Sequence, residues 1–270
     1  MAIVTAASRR RRAVVVAALA MSLSAACSGD AGTGTEETPG ATGSTSSPSP
    51  GAQTVAAGPC ANAYMPVVRG ASWTYELSEP AGTVYTDTVT AVEDLGFTIT
   101  TDFDRLTKRT DWACTAQGLT ALTYGSGPAA SLSVGGLQAS FETTDVNGVT
   151  LPADLSAGDR WRQTFQLSGR LDVGGERTRV AGSVDYVLHA RGDEKVDVPA
   201  GTFDALAVDT DITLDLVPAS GGLGIPLTLE LHGVQWFARD VGLVRSETDG
   251  DFFGGSISSV AELTAYDVGA

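Results

Sequence analysis

The sequence predicts an all-β fold, a single curved antiparallel sheet or open half-barrel, and three observations carry that prediction. Apolar and polar residues alternate with period two, turn signals rich in Gly and Pro separate the alternating stretches, and no long segment shows a helical period. Trp161, Gln163, Phe165 and Leu167 alternate with Arg162, Thr164, Gln166 and Ser168. Val180, Val184, Tyr186, Leu188 and Ala190 alternate with Ser183, Asp185, His189 and Arg191. Leu206, Val208, Ile212, Leu214 and Leu216 oppose Asp209, Asp211, Thr213 and Asp215, and Leu227, Leu229 and Leu231 oppose Thr228, Glu230 and His232. Each pattern is that of a half-buried strand, apolar on one face and wet on the other. Glu79-Pro80-Ala81-Gly82, Asn147-Gly148, Gly174-Gly175 and Pro199-Ala200-Gly201 supply turns between strands.

The tryptophans suggest an internal duplication within the single domain expected over 60–270. Gly70-Ala71-Ser72-Trp73 recurs as Gly158-Asp159-Arg160-Trp161, and Leu-Ser follows each, at Leu77-Ser78 and Leu167-Ser168. Trp112 stands six residues before Gly118-Leu119, as Trp236 does before Gly242-Leu243. Two meanders, about 60–130 and 150–266, joined edge to edge, would give these echoes.

The chain before the β domain reads as an address and a tether. Arg9-Arg10-Arg11-Arg12 precedes a run from Ala13 to Ala26 that is apolar apart from Ser22 and Ser24. At 14 residues it falls short of a membrane-crossing helix and has the layout of a signal peptide, expected over 1–26. Leu23-Ser24-Ala25-Ala26-Cys27 resembles the lipobox of bacterial lipoproteins, with Ser24 where that family usually carries Leu. The resemblance implies diacylglycerol on the Cys27 thiol, cleavage just before it and an anchor at the extracytoplasmic face of the cell membrane. Two or three acyl chains hold stably where one is marginal. The paired arginines leave the general secretory and twin-arginine routes both open.

Residues 27–59 form the expected tether. Ser28 to Pro59 is built of Gly, Ser, Thr, Pro, Ala and a few acids, with Val55 its lone large aliphatic, so it has too little apolar surface to offset ordering. As a flexible coil it would span about 30 Å.

Charge and cysteine count narrow the function further. The chain has 17 basic and 32 acidic residues, net −15. Removing the leader with its four arginines leaves 13 against 32, net −19. An acidic surface repels nucleic acid and anionic lipid headgroups, so no nucleic-acid partner is expected, and membrane attachment is expected through the covalent lipid. With Cys27 lipidated, Cys60 and Cys114 are left in an oxidising compartment and are expected to form a disulfide.

Tyr64-Met65-Pro66-Val67-Val68-Arg69-Gly70 with Trp73 and Tyr75, then Val198-Pro199-Ala200-Gly201-Thr202-Phe203, then Trp236-Phe237-Ala238-Arg239-Asp240-Val241-Gly242-Leu243-Val244 resemble motifs of uncharacterised bacterial β-rich envelope lipoproteins. The resemblance runs through most of the ordered chain. It implies a family and carries no activity or site residue with it.

No catalytic residue, metal site or cofactor is expected. His189 and His232 fall on polar strand faces, and Asp209, Asp211 and Asp215 share one extended face with no Gly turn to wrap a cation. A nucleophile elbow, a P-loop, a dinucleotide fingerprint and a His-rich cluster are missing from the sequence. Two function classes stay open. One is a non-catalytic envelope lipoprotein, a binding module whose concave sheet holds an apolar or amphiphilic ligand or a partner protein, or else a purely structural module. The other is a glycan-directed hydrolase using paired carboxylates. For the first, Leu137 and Phe141 near Gly135-Gly136, and Leu223 and Ile225 among Gly221, Gly222 and Gly224, would rim the opening, or else tuck under the sheet as core.

Overall fold

The computed structural model describes residues 58–78, 82–104, 106–123, 132–134, 137–173, 176–218, 226–252 and 255–269. The leader, Cys27 and most of the tether lie outside these residues, as do Leu223, Ile225, the Gly174-Gly175 turn and residues 79–81.

The first meander is β1 (Ser72–Leu77), β2 (Thr83–Glu93), β3 (Gly96–Phe103), β4 (Leu106–Thr115) and β5 (Gly118–Ala121). Three further segments follow: β6 (Leu132–Val134), β7 (Leu137–Gly148) and β8 (Leu151–Pro152). The second meander is β9 (Arg160–Val173), β10 (Glu176–Val198), β11 (Gly201–Pro218), β12 (Leu227–Ala238), β13 (Gly242–Phe252) and β14 (Gly255–Asp267). All pair antiparallel in one sheet, ordered β6-β7-β9-β10-β11-β12-β13-β14-β1-β2-β3-β4-β5-β8. The sheet is curved and not closed into a barrel. The two meanders meet edge to edge through β14 and β1, with Trp73 opposite Tyr266.

The tryptophans occupy corresponding strands. Trp73 and Trp161 open β1 and β9, Trp112 and Trp236 lie three strands later in β4 and β12, and the two Gly-Leu pairs open β5 and β13. The β2–β3 and β10–β11 hairpins each carry a bulge, between Val89 and Ala91 and between Ala190 and Gly192. A bulge adds a residue to one strand and bends it. Beyond its bulge the β10–β11 hairpin bends over its neighbours. The Ala200 N–H at its tip donates to Leu263 O in β14 (3.0 Å), and Phe203 meets Tyr266 edge to face.

The chain between β7 and β8 bridges the two ends of the sheet. β7 pairs with β9 as far as Gly148 opposite Gln163, and β8 pairs with β5. Between them the Thr150 N–H donates to Leu119 O (2.9 Å), its Oγ1 accepts from the Ala121 N–H (2.8 Å), and Gln163 Nε2 donates to Ala121 O (3.4 Å). Asn147-Gly148 is therefore the end of a strand and not the hairpin turn that the dipeptide signals: tertiary pairing with β9 overrides turn propensity. Gly118, at φ +139°, is needed at this seam, because a Cβ there would stand 2.2 Å from Leu151 O.

The main core gathers Leu119, Leu206, Val208, Val244 and Leu263 with Trp73 and Tyr75. A second cluster, Phe141, Phe165, Leu167, Val184, Leu214 and Leu229, fills the far ends of β7 and β9–β12. Cys60 and Cys114 are joined by a disulfide, Cα–Cα 4.9 Å, which fixes the start of the domain to β4.

Candidate binding cavity

The inner faces of the strands enclose a cavity of about 610 Å³. Part of its wall is built from the stretch before β1 and the start of β13. Tyr64 and Met65 line it. Asn62 fixes them by donating Nδ2 to Pro152 O and accepting from the Tyr64 N–H through Oδ1, both at 2.9 Å. The Asp240 N–H donates to Ala63 O (2.8 Å), and the Arg239 guanidinium sits 4.7 Å above the Tyr64 ring. Trp73 Nε1 donates to Val241 O (2.5 Å) and Tyr75 Oη to Leu243 O (2.9 Å), tying β1 to the turn before β13 and to β13 itself. Gly242, at φ +111°, allows Trp73 this approach: a Cβ there would lie 3.3 Å from its Nε1.

The cavity wall is divided. On β9–β12 it is mostly apolar, with Phe165, Tyr186, Leu188, Leu214, Leu229 and Leu231. On β2–β4 the ladder registers align Asp87 with Thr101 and Thr101 with Lys108, so one inward row carries a carboxylate, a hydroxyl and an ammonium. Thr101 Oγ1 donates to Asp87 Oδ1. Burial pushes the Asp87 pKa up, against the Thr101 hydrogen bond and the Lys108 charge, which lower it. Burial pushes the Lys108 pKa down, against the pull of Asp87. Next to this row Tyr75, Tyr85 and Phe103 stack at 5.1 and 5.2 Å, and burial raises both tyrosine hydroxyls above their usual pKa.

Of the residues singled out in the sequence, Phe141 is buried in the second cluster and lines the cavity. Leu137 opens β7, opposite Val134 and Val173. Leu223 and Ile225 lie outside the described residues. Sequence reasoning missed Asp87, Thr101, Lys108 and Trp112. The signal was local for the last pair: Lys108 and Trp112 are an even number of residues apart on one strand, and so share a face.

The histidines lie away from the cavity. His232 Nδ1 is 2.7 Å from Asp211 Oδ1 and His189 Nδ1 is 3.7 Å from Asp209 Oδ2. The hydrogen bond to the Asp211 carboxylate raises the His232 pKa above the ordinary histidine value. Asp87 is the one carboxylate among the described residues lining the cavity, and no group of three or more metal-ligating side chains occurs among the described residues.

Residues 146–251 match the family model described as DUF3108-like. That span runs from the end of β7 into β13 and so supplies the apolar wall. No curated protein matches the chain. Among solved structures, a candidate lipoprotein from Parabacteroides distasonis is similar over 77% of this chain and 99% of its own, at 16% identity and a TM-score of 0.45. A candidate exported protein with a YmcC-like fold from Bacteroides fragilis is similar over 76% and 99%, at 15% identity and a TM-score of 0.43. The hypothetical lipoprotein YmcC from Escherichia coli is similar over 73% and 85%, at 8% identity and a TM-score of 0.33.

Proposed function

We propose that this chain is a non-catalytic, lipid-anchored envelope protein that holds an apolar or amphiphilic small molecule inside its curved sheet. The cavity carries the reading: about 610 Å³, of a size that suits a small ligand, lined chiefly by aromatic and aliphatic side chains with a few convergent polar groups. A paired-carboxylate hydrolase needs two acids facing one cleft, and Asp87 has no second carboxylate beside it among the described lining residues. The environment-sensitive dye N-phenyl-1-naphthylamine tests the reading. The full chain is expected to enhance its fluorescence saturably, with one site per molecule, and absence of saturable enhancement removes the ligand-binding function.

The anchor rests on the basic block Arg9–Arg12, the apolar run and the Leu23–Cys27 sequence. Cells expressing the chain in the presence of a radiolabelled or clickable palmitate are expected to label the wild-type protein and not Cys27→Ser. Unlabelled wild-type protein, or equal labelling of both, would contradict acylation at Cys27.

A further inference from the structure

Two polar atoms in the cavity wall have no hydrogen-bond partner among the described residues. Trp112 Nε1 and Thr123 Oγ1 are buried without one, and both residues line the cavity. The other three tryptophans are satisfied: Trp73 donates to Val241 O, Trp161 to Thr150 O and Trp236 to Glu194 Oε2. An unmade hydrogen bond at a buried group costs about 1–3 kcal/mol, so two in one wall mark a place where something else belongs.

They also lie together. Trp112 is opposite Ala121, and the ladder continues past β5 through the Leu122 N–H to Asp111 O (2.8 Å), which brings Thr123 beside Thr110, two residues from Trp112 on the same face. Trp112 itself is held by stacking on Phe97, ring centroids 5.3 Å apart, so its free N–H is aimed by packing. An indole N–H can only donate; a hydroxyl can donate or accept. The pair asks for a ligand oxygen.

The charges choose which oxygen. Asp87 and Lys108 stand in one cross-strand row on the same wall and offset each other. Each of these charges is already engaged by the other, so an anionic or cationic head would give up its hydration in a water-poor site with no unengaged counter-charge among the described lining residues to replace it. A neutral head avoids that penalty.

We infer that the cavity selects a neutral amphiphile of the acyl-ester class, with ester or hydroxyl oxygen on Trp112 and Thr123 and its chain against the apolar wall of β9–β12. This rests on the binding reading above. The test uses the full chain carrying Cys27→Ser, loaded with N-phenyl-1-naphthylamine and titrated with monooleoylglycerol, oleic acid and oleylamine, which share one chain length and differ in the head. Monooleoylglycerol is expected to displace the dye at a concentration at least about 10-fold lower than either charged lipid. Trp112→Phe, which keeps a ring to stack on Phe97, and Thr123→Val, which keeps the shape, are each expected to raise that concentration about 5-fold. Each variant is scored against its own dye affinity, and the ratio of the charged-lipid to the monooleoylglycerol displacing concentration is expected to fall about 5-fold. Should Trp112→Phe fail to fold, Thr123→Val alone decides. A wild-type protein that binds no dye overturns the cavity reading and this one with it. Dye binding with equal displacement by all three lipids, or with the preference intact in the variants, overturns recognition of the head while the cavity reading stands.

Discussion

Replacing Cys60 and Cys114 together by serine is expected to lower the melting temperature by about 10 °C. The disulfide closes a segment with a sequence separation of 54 residues, and restricting that loop in the unfolded chain is worth about 4 kcal/mol on the loop-entropy model. For a domain of this length each kcal/mol moves the midpoint by about 2–4 °C. The folded state loses as well. Both cysteines are buried in the main core, and the residues between Cys60 and β1 form no strand; they are fixed by Asn62, by the Asp240–Ala63 hydrogen bond and by this covalent link. Because Tyr64 and Met65 in that segment line the cavity, the double variant is expected to bind the apolar dye more weakly even well below its melting point. Calorimetry of the wild type and the double variant checks the first effect. A midpoint shift under about 2 °C would show that the remaining contacts fix the segment without the staple.

The strands of the second meander were the legible part of the sequence, because each has one buried and one wetter face over most of its length. Leu214 and Leu216 are buried and Asp211 and Asp215 exposed, as alternation requires. The pattern fails at Ala205-Leu206-Ala207-Val208, where four successive residues are buried. There the hairpin bends beyond its bulge and both faces of β11 are covered, and period two says nothing about a strand covered on both sides. Asn147-Gly148 misled for a related reason: the dipeptide suits a tight turn, but pairing with β9 holds it in a strand.

The site was less legible than the fold because it is made by register. Asp87, Thr101 and Lys108 come from three strands, and nothing in the order of residues says that 87 faces 101 and 101 faces 108. A one-residue slip in either ladder would turn the affected side chains to the other face. Phe141 could be chosen from sequence as an apolar residue near glycines, and it lines the cavity as part of the core, buried among Phe165 and Leu214.

The Asp87–Lys108 row is expected to oppose folding, and Lys108→Met begins the test of this. Asp87 is largely buried, and Lys108 is one of the two influences that favour its charged form. Breaking a buried pair by removing one partner costs about 3–5 kcal/mol when both are fully desolvated; with Lys108 less deeply buried, about 2–3 kcal/mol at pH 7.5 is the expected loss. The pH dependence fixes the cause. Without Lys108 the folded-state pKa of Asp87 rises further above its unfolded value, so the penalty is fully present above the folded pKa and shrinks as pH falls through it toward the ordinary carboxyl range. Lys108→Met should therefore approach the wild type near pH 4. Asp87→Asn should behave oppositely: it leaves Lys108 buried alone with a pKa lowered further, and its deficit shrinks as pH rises through that folded pKa. The double variant Asp87→Asn/Lys108→Met removes both desolvated charges and is expected to match or exceed the wild type in stability, since a buried pair replaced by neutral groups is often no less stable. Urea denaturation of the four proteins at pH 4.5, 7.5 and 9.5 measures these terms. Additive single-variant losses in the double variant would mean the two charges do not act on each other, and a pH-independent Lys108→Met deficit would mean lost packing alone. A double variant more stable than the wild type, and no longer discriminating against charged lipid heads, would show that the row opposes folding and serves the cavity.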